Sequence, residues 1–456
     1  MLFSEVARLF ERLTGTPKKL EKRDIIAEVM KGVDKKDIPF FCLAIEGRVF
    51  PASDEREAGL ASQMIIKAIA LAFGVPESSV MEKFKALGDL GLASEELAKA
   101  KKQRTFLSKD LTLEKVYNNI QKLPEMEGKG SQDKKLELVK ELLINAKPEE
   151  SRYIVRMILG EMRVGVAEGI LRDAIALAFG VEKEDVESAY DIYTDYGKVS
   201  VIAKNHGAEG LRKAEMRVGS PIRVMLAEKA ADLKDAMDSF ESPAIEKKYD
   251  GFRVQIHKDH DKILIFSRRL DDVTEQFPEV AILSRERLKP KRCVVEGEVL
   301  AIGADGKPRP FQELSQRIQR KYDIEEMAKK IPVQVNLFEM IYIDGKNIMK
   351  EPLRKRWLCL RSSVEENERF RLAEHIETKD FDKANKFYRE SLAEGQEGVM
   401  VKNMEAIYQP GKRVGYWMKV KEILEPLDLV IVKGRWGEGK RSKWISSMVL
   451  ACRGKD

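Results

Sequence analysis

Apolar residues recur at helical spacing through the first two hundred positions and at strand spacing through much of the remaining chain. The opening stretch MLFSEVARLFERL places Leu2, Val6, Leu9, Phe10 and Leu13 on one helical face. Ala68-Ile-Ala-Leu-Ala-Phe-Gly-Val75 returns as Ala174-Ile-Ala-Leu-Ala-Phe-Gly-Val181, an offset of 174 − 68 = 106 residues, and Cys42 to Arg48 loosely parallels Arg156 to Arg163. Each copy predicts a helix closed by Gly74 or Gly180 in the left-handed position, followed by a second helix. Two copies are too few for a solenoid and point to pseudo-twofold lobes within one all-α region.

Alternation then takes over. Phe252, Val254 and Ile256 alternate with Arg253, Gln255 and His257; Asp259-His260-Asp261 turns the chain; Ile263 and Ile265 alternate with Leu264 and Phe266. That pattern predicts a hairpin with Lys248 at its mouth. Further strands are predicted over Cys293–Ile302, Val335–Ile343, Glu397–Lys402 and Trp417–Lys421. After Glu425-Pro426, two more are predicted over Leu427–Val432 and Trp444–Cys452.

A chain of 456 residues suggests about three domains. Its 43% apolar content is enough for packed cores, and no apolar run of transmembrane length and no signal peptide are present. A soluble, intracellular protein is expected. Four scattered cysteines (Cys42, Cys293, Cys359, Cys452) form no zinc spacing and no disulfide framework, and each is read as a small buried hydrophobe. The four histidines are equally scattered. A net charge of +6 with 35% charged residues describes a solvated surface and fits a heat-adapted protein. Charge is uneven locally: from Pro410 to Lys443 nine basic residues face four acids, a surplus that suits a phosphate backbone.

The chemistry gathers around Lys248-Tyr-Asp-Gly251. In the strand Cys293–Ile302, alternation puts Glu296 and Glu298 on one largely apolar face, where two carboxylates need a metal or a base as partner. Phe338 projects opposite Leu337 and Glu339. Trp417, Lys419 and Lys421 share a face, and such lysines repel one another unless a polyphosphate lies among them. Gly434 to Lys440 imitates a P-loop, but Arg441 stands where Ser or Thr is required and no helix pattern follows.

Lys248-Tyr-Asp-Gly, Ser267-Arg268, Glu296-Gly-Glu298, Phe338-Glu339-Met-Ile-Tyr, Glu397-Gly-Val-Met-Val-Lys402 and Trp417-Met-Lys419-Val-Lys421 together resemble the ordered nucleotidyltransferase motifs of ATP-dependent DNA ligases of the archaeal and eukaryotic replicative type. The resemblance implies a multidomain fold: an all-α DNA-binding domain over 1–218, an α+β adenylation domain with antiparallel sheets over 219–423, and the start of an OB-fold over 424–456. It implies nick sealing in three steps, with Lys248 taking AMP from ATP, AMP passing to a 5′-phosphate, and a 3′-hydroxyl displacing AMP. Glu246 would sit at the adenine edge and Phe338 would stack on its face. Arg253 and Arg268 would meet ribose or phosphates. Lys402, Arg413, Lys419 and Lys421 would neutralise phosphate oxygens beside Trp417, and Glu298 and Glu397 would hold Mg²⁺, with Mn²⁺ as the alternative ion. A lysine attacks only when neutral, and Lys247, Arg253, Lys419, Lys421 and the ion are expected to surround Lys248 with positive charge.

The helical region is similar to the DNA-binding domain of such ligases in Gly88-Asp-Leu-Gly91, Gly128-Lys129-Gly130-Ser131 and Arg163-Val-Gly165. Glycine turns at helix starts can hold phosphates without reading sequence, and Lys129, Ser131 and Arg163 are the candidates there. The implied partner is nicked double-stranded DNA, bound by a monomer in the cytoplasm or nucleoid. A sliding clamp is a further candidate partner, and no membrane partner is implied. About thirty residues beyond Pro426 are too few for a five-stranded barrel. A shortened protein is therefore expected, slow in its own adenylylation and better preserved in sealing a pre-adenylylated nick. An RNA ligase, a capping-type nucleotidyltransferase and a non-catalytic nick-binding scaffold are the alternatives.

Overall fold

The periodicity of the first two hundred residues becomes a run of helices around one continuous apolar core reaching from Phe3 to Leu211. The computed structural model describes residues 1–52, 54, 56, 58–100, 110–126, 128, 130–303, 305–318, 324–422, 427–437 and 444–452. Helix Phe3–Thr14 buries Phe3, Val6, Leu9, Phe10 and Leu13. Leu2, expected on that face, precedes the helix in extended conformation, bridges to Thr112 and is 37% exposed. The repeat takes the form its sequence dictates. Helices Ser62–Phe73 and Glu168–Phe179 end at Gly74 (φ +68°) and Gly180 (φ +64°), and Glu77–Leu87 and Lys183–Tyr193 follow them. A left-handed residue at that point satisfies the last carbonyls and turns the chain into the next helix.

Beyond the helices, two sheets carry the rest. The first contains β1 (Glu228–Lys229), β2 (Pro243–Lys248), β9 (His375–Glu377), β10 (Gly398–Asn403) and β11 (Trp417–Lys421), in the order β1-β11-β10-β2-β9. The second contains β3 (Phe252–Asp259), β4 (Lys262–Ser267), β5 (Arg292–Ala301), β6 (Val333–Ile343) and β7 (Lys346–Asn347), in the order β4-β3-β5-β6-β7, with β8 (Phe370–Leu372) also on β6. Pairing is mostly antiparallel. The antiparallel sheets expected from the sequence are present, with two short parallel additions, β1 on β11 and β8 on β6.

The hairpin β3–β4 forms with His260 at φ +57° in its turn. Lys248, however, does not open that hairpin. It is the last residue of β2 in the other sheet, paired with Gly398 of β10. Tyr249-Asp250-Gly251 carries the chain from one sheet to the other. A Cβ on Gly251 would lie 2.8 Å from Glu298 Cγ and would collide with the Val299 carbonyl, so only glycine lets this crossover press against β5.

Near the C-terminus, β12 (Val430–Trp436) and β13 (Ile445–Ala451) pair antiparallel and are exposed along their length. A strand follows Gly434, which agrees with the rejection of a P-loop; residues 438–440 of that segment lie outside the described residues, as do Lys440, Arg441 and Lys443 of the basic stretch. Cys42 and Cys293 are buried as expected, but Cys359 is half-buried and Cys452 exposed, a correction to the uniform reading. No single described helix is long and apolar enough to cross a membrane.

Candidate active site

The two sheets face each other across a cavity of about 740 Å³. It is lined by Lys248, Glu246, Arg253, Arg268, Glu298, Phe338, Glu397, Lys402, Arg413, Trp417, Lys419 and Lys421, so every pocket residue singled out in the sequence converges there. β2, β10 and β11 bring Lys248, Glu397 and Lys421 together because Gly398 pairs with both Lys248 and Lys421. A side chain at 398 is excluded: φ is +139°, and a Cβ would strike the Val420 carbonyl.

The charges are arranged in two tiers. Deep in the wall, Glu296 is fully buried and accepts hydrogen bonds from Arg253 (2.8 Å), Gln255 (3.0 Å) and Tyr408 (2.9 Å). Arg253 also donates to the Met225 carbonyl (2.9 Å) and lies over the rings of Phe338 and Trp417. Glu246 pairs with Lys402 at 2.6 Å, and burial raises its carboxyl above the ordinary value against the pull of Lys402. Lys402, expected on phosphate oxygens, is instead 2% exposed and sits 4.6 Å from the Phe338 ring and 4.5 Å from that of Trp417.

Toward the opening, Lys248 and Lys421 both contact Glu397 at 2.5 Å. Burial would raise the Glu397 carboxyl, but the two ammonium groups outweigh it and hold it below the ordinary range. The expected ring of positive charge around Lys248 is therefore corrected. Lys247 leaves by the opposite face of β2 to Glu374 (2.7 Å) and Glu394 (2.6 Å), and the Arg253 charge is matched by Glu296. Strand alternation explains the first difference, since consecutive residues point to opposite faces. Lys419 stands among other cations: burial, then Lys421, Arg413, Lys248 and Arg268, lower its pKa. Among the described residues no carboxylate lies within ion-pair distance of Arg268, Arg413 or Lys419.

Glu298 lines the cavity beside Glu397. Burial pushes it up to about 7, Lys248 and Arg253 oppose the shift, and Glu397 adds to it. No group of three or more His, Cys, Asp or Glu side chains is close enough among the described residues to cage a metal. Two carboxylate oxygens in a cavity of this size nevertheless fit a hard divalent ion that keeps waters and takes further oxygens from phosphates. The donor set fits a divalent ion in that mode.

Sequence reasoning missed Met400, Arg269 and Tyr408. Met400 lines the cavity from β10, while its neighbours Val399 and Val401 are fully buried on the other side. The alternation in Val399-Met400-Val401 carried that signal. Arg269 lines the cavity beside Arg268. Tyr408 braces Glu296 from a loop, and nothing in its local sequence announces this.

The helical candidates lie elsewhere. Lys129 is outside the described residues. Ser131 begins helix Ser131–Asn145 after Gly130 at φ +80°. Arg163 donates to Glu161 (2.6 Å) and the Gly88 carbonyl (3.4 Å) and pairs with Asp89 (2.9 Å), which also binds Arg156. It thereby ties two of the glycine turns together. A residue at φ +57° whose charge is spent internally serves that junction.

Comparison with known proteins respects the same division. Residues 224–421 match the family model described as ATP dependent DNA ligase domain, and residues 2–176 match DNA ligase N terminus. The DNA ligase of Thermococcus fumicolans is 45% identical over 452 residues, covering 99% of this chain and 81% of that protein. That of Nanoarchaeum equitans is 46% identical over 461 residues, covering 100% and 81%. That of Archaeoglobus fulgidus is 43% identical over 453 residues, covering 99% and 81%. The solved structure described as "Pmar-Lig_Pre." shares the fold, with a TM-score of 0.56 at 19% identity over 97% of this chain and 84% of that one.

Proposed function

The chain belongs to the ATP-dependent DNA ligase family, and on that premise we propose which of its groups carry each part of nick sealing. Lys248 is the nucleophile. Its side chain is 21% exposed, so water can take the proton that a charged amine must lose before it attacks. The nitrogen then bonds to the α-phosphorus of ATP and gives a second proton to water, and the bond to the pyrophosphate oxygen breaks, that oxygen keeping the electron pair. An oxygen of the 5′-phosphate at the nick next attacks the same phosphorus, the P–N bond breaks and the Lys248 nitrogen takes both protons back from water. Finally the 3′-hydroxyl attacks the 5′-phosphate phosphorus, loses its proton and expels AMP.

Phe338 from β6 and Met400 from β10 are the two faces that would flank the purine. Glu246, held by Lys402, would read its amino edge. Arg253 would serve the ribose side beside Trp417. Arg268, Arg413, Lys419 and Lys421 would take the phosphates, where fixed cations stabilise charge without reorganising. Glu298 and Glu397 would hold Mg²⁺, or Mn²⁺, which supplies charge neutralisation for the leaving pyrophosphate. In this reading residues 1–218 grip nicked duplex, with the Ser131 hydroxyl at a helix start as a phosphate donor, and 219–423 perform the chemistry. The working unit is an intracellular monomer, with a sliding clamp as an additional partner.

The observation that carries the reading is the group of three uncompensated cations around the Lys248–Glu397 pair. Incubation with labelled ATP, GTP or NAD tests it. ATP alone should leave one AMP on the protein by mass, and Lys248→Ala should carry none. Labelling by GTP would favour a capping-type enzyme, and nick binding with no AMP transfer by the parent would favour a scaffold.

A further inference from the structure

Helix Lys183–Tyr193 plants Asp191 in a socket belonging to the nucleotide-binding part of the chain. Asp191 is 3% exposed. Its carbonyl accepts from the Arg223 amide at 3.0 Å, and its carboxylate meets Arg223 at 3.4 Å and Lys412 at 3.9 Å. Lys412 also pairs with Glu187 (2.7 Å), and Arg223 with Glu168 (3.1 Å), so two helices reach the same seat. Gly411, at φ +70°, lies so close that a Cβ would overlap the Asp191 carboxylate. From the other side the Lys412 carbonyl accepts from Leu226 at 2.9 Å, and the Gln409 amide meets Met225 Sδ at 3.3 Å. The turn 409–412 is thus wedged between the helical region and residues 225–226, the segment that leads into β1.

Arg413 comes directly after that turn and lines the cavity with no carboxylate of its own. Its place is therefore set by the turn behind it. We infer that Asp191, on the helical region, is a positioning residue for ATP: by filling the socket at Gly411 it holds Arg413 against the nucleotide phosphates. This rests on the assignment of Arg413 to those phosphates. The Gly411 backbone closes directly on the Asp191 carboxylate, so a side chain of the same shape should keep the seat filled.

The test uses the full chain and two readouts: AMP labelling of the protein against ATP concentration, and sealing of a pre-adenylylated nick. Asp191→Ala should raise the KM for ATP about fivefold, the scale of one loosened charge-assisted phosphate contact, with kcat for labelling and sealing of the pre-adenylylated nick within about twofold. Asp191→Asn, which keeps the shape, should restore the parent KM. Gly411→Ala, which fills the socket from the other side, should also raise it and stands in if Asp191→Ala does not fold. In Asp191→Ala/Arg413→Ala the KM should equal that of Arg413→Ala alone, since two changes acting through one group do not add. A parent-like KM in both Asp191→Ala and Gly411→Ala, or effects that multiply in the double variant, would overturn the positioning role while leaving Arg413 assigned. A parent-like KM in Arg413→Ala would instead overturn that assignment and the inference with it.

Discussion

The cavity between the sheets and the joined glycine turns of the helical region both gather arginines or lysines, yet they handle charge in opposite ways. At the turns, Arg156 and Arg163 share Asp89, and Arg163 also takes Glu161. In the cavity, Lys248 and Lys421 must share Glu397, and Lys419 is surrounded by other cations. Charge matched from within builds structure. Charge left unmatched inside a cavity is held ready for a polyanion, and the distinction separates a phosphate site from a brace more reliably than the presence of basic residues does.

The largest test of this contrast removes the proposed nucleophile. Lys248→Ala should lower AMP transfer by about 10⁴-fold or more, read as labelled protein. Labelling that persisted on another lysine would break the comparison at its centre. Next comes a matched pair. Glu339 and Arg356 are both fully buried and joined at 2.8 and 2.9 Å. Glu339→Gln should cost about 3–5 kcal/mol in urea unfolding, because the guanidinium is left buried without a counter-charge.

An unmatched cation should behave in reverse. Lys419→Ala should raise the KM for ATP by about ten- to a hundredfold, as loss of a phosphate contact in a dry site does, without loss of thermal stability. The Lys419 pKa is lowered by folding, so its charge opposes folding at neutral pH, and that penalty fades as pH rises through the folded value. A drop in melting temperature would count against the contrast.

Glu298 gives a pH test of the proposed metal site. Its carboxyl is raised to about 7 from an ordinary 4.5, so its contribution to stability is complete below 4.5 and is lost as pH rises through 7. Metal binding needs the ionised form. The Mg²⁺ concentration for half-maximal AMP labelling should therefore rise about tenfold from pH 8 to pH 6, and Glu298→Gln should remove that dependence. The smallest effect belongs to Arg163→Ala, which should change nicked-duplex affinity by less than about threefold and leave its salt dependence unaltered. A lower salt slope would show that Arg163 meets a phosphate after all.

Local pattern made much of this legible. The repeated Ala-Ile-Ala-Leu-Ala-Phe-Gly-Val, the β3–β4 hairpin and the facing of Trp417, Lys419 and Lys421 emerge from periodicity alone. The features that escaped the sequence depend on long-range pairing. Lys248 belongs to β2 because Gly398, 150 residues later, pairs with it (398 − 248). Glu296 and Glu298 keep the shared face that alternation predicts, since β5 runs in unbroken register against β3 and the extra residues of the β5–β6 shifts lie on β6; what escaped the sequence is Tyr408, the loop residue that helps draw Glu296 into a buried network. The engagement of Arg163 with Asp89 spans two glycine turns, and no local rule reports it.

Phe338 stands on one sheet and Met400 on the other, with the Tyr249–Gly251 crossover as a covalent strap between them. A flat ring slipped between those two side chains would act as a shim, fixing the spacing of both halves at once. Loading the nucleotide should therefore slow hydrogen exchange along β6 and β10 together, although each belongs to a different ladder. The fuel would double as a fastener, making the enzyme stiffest when it is charged and ready for its next broken strand.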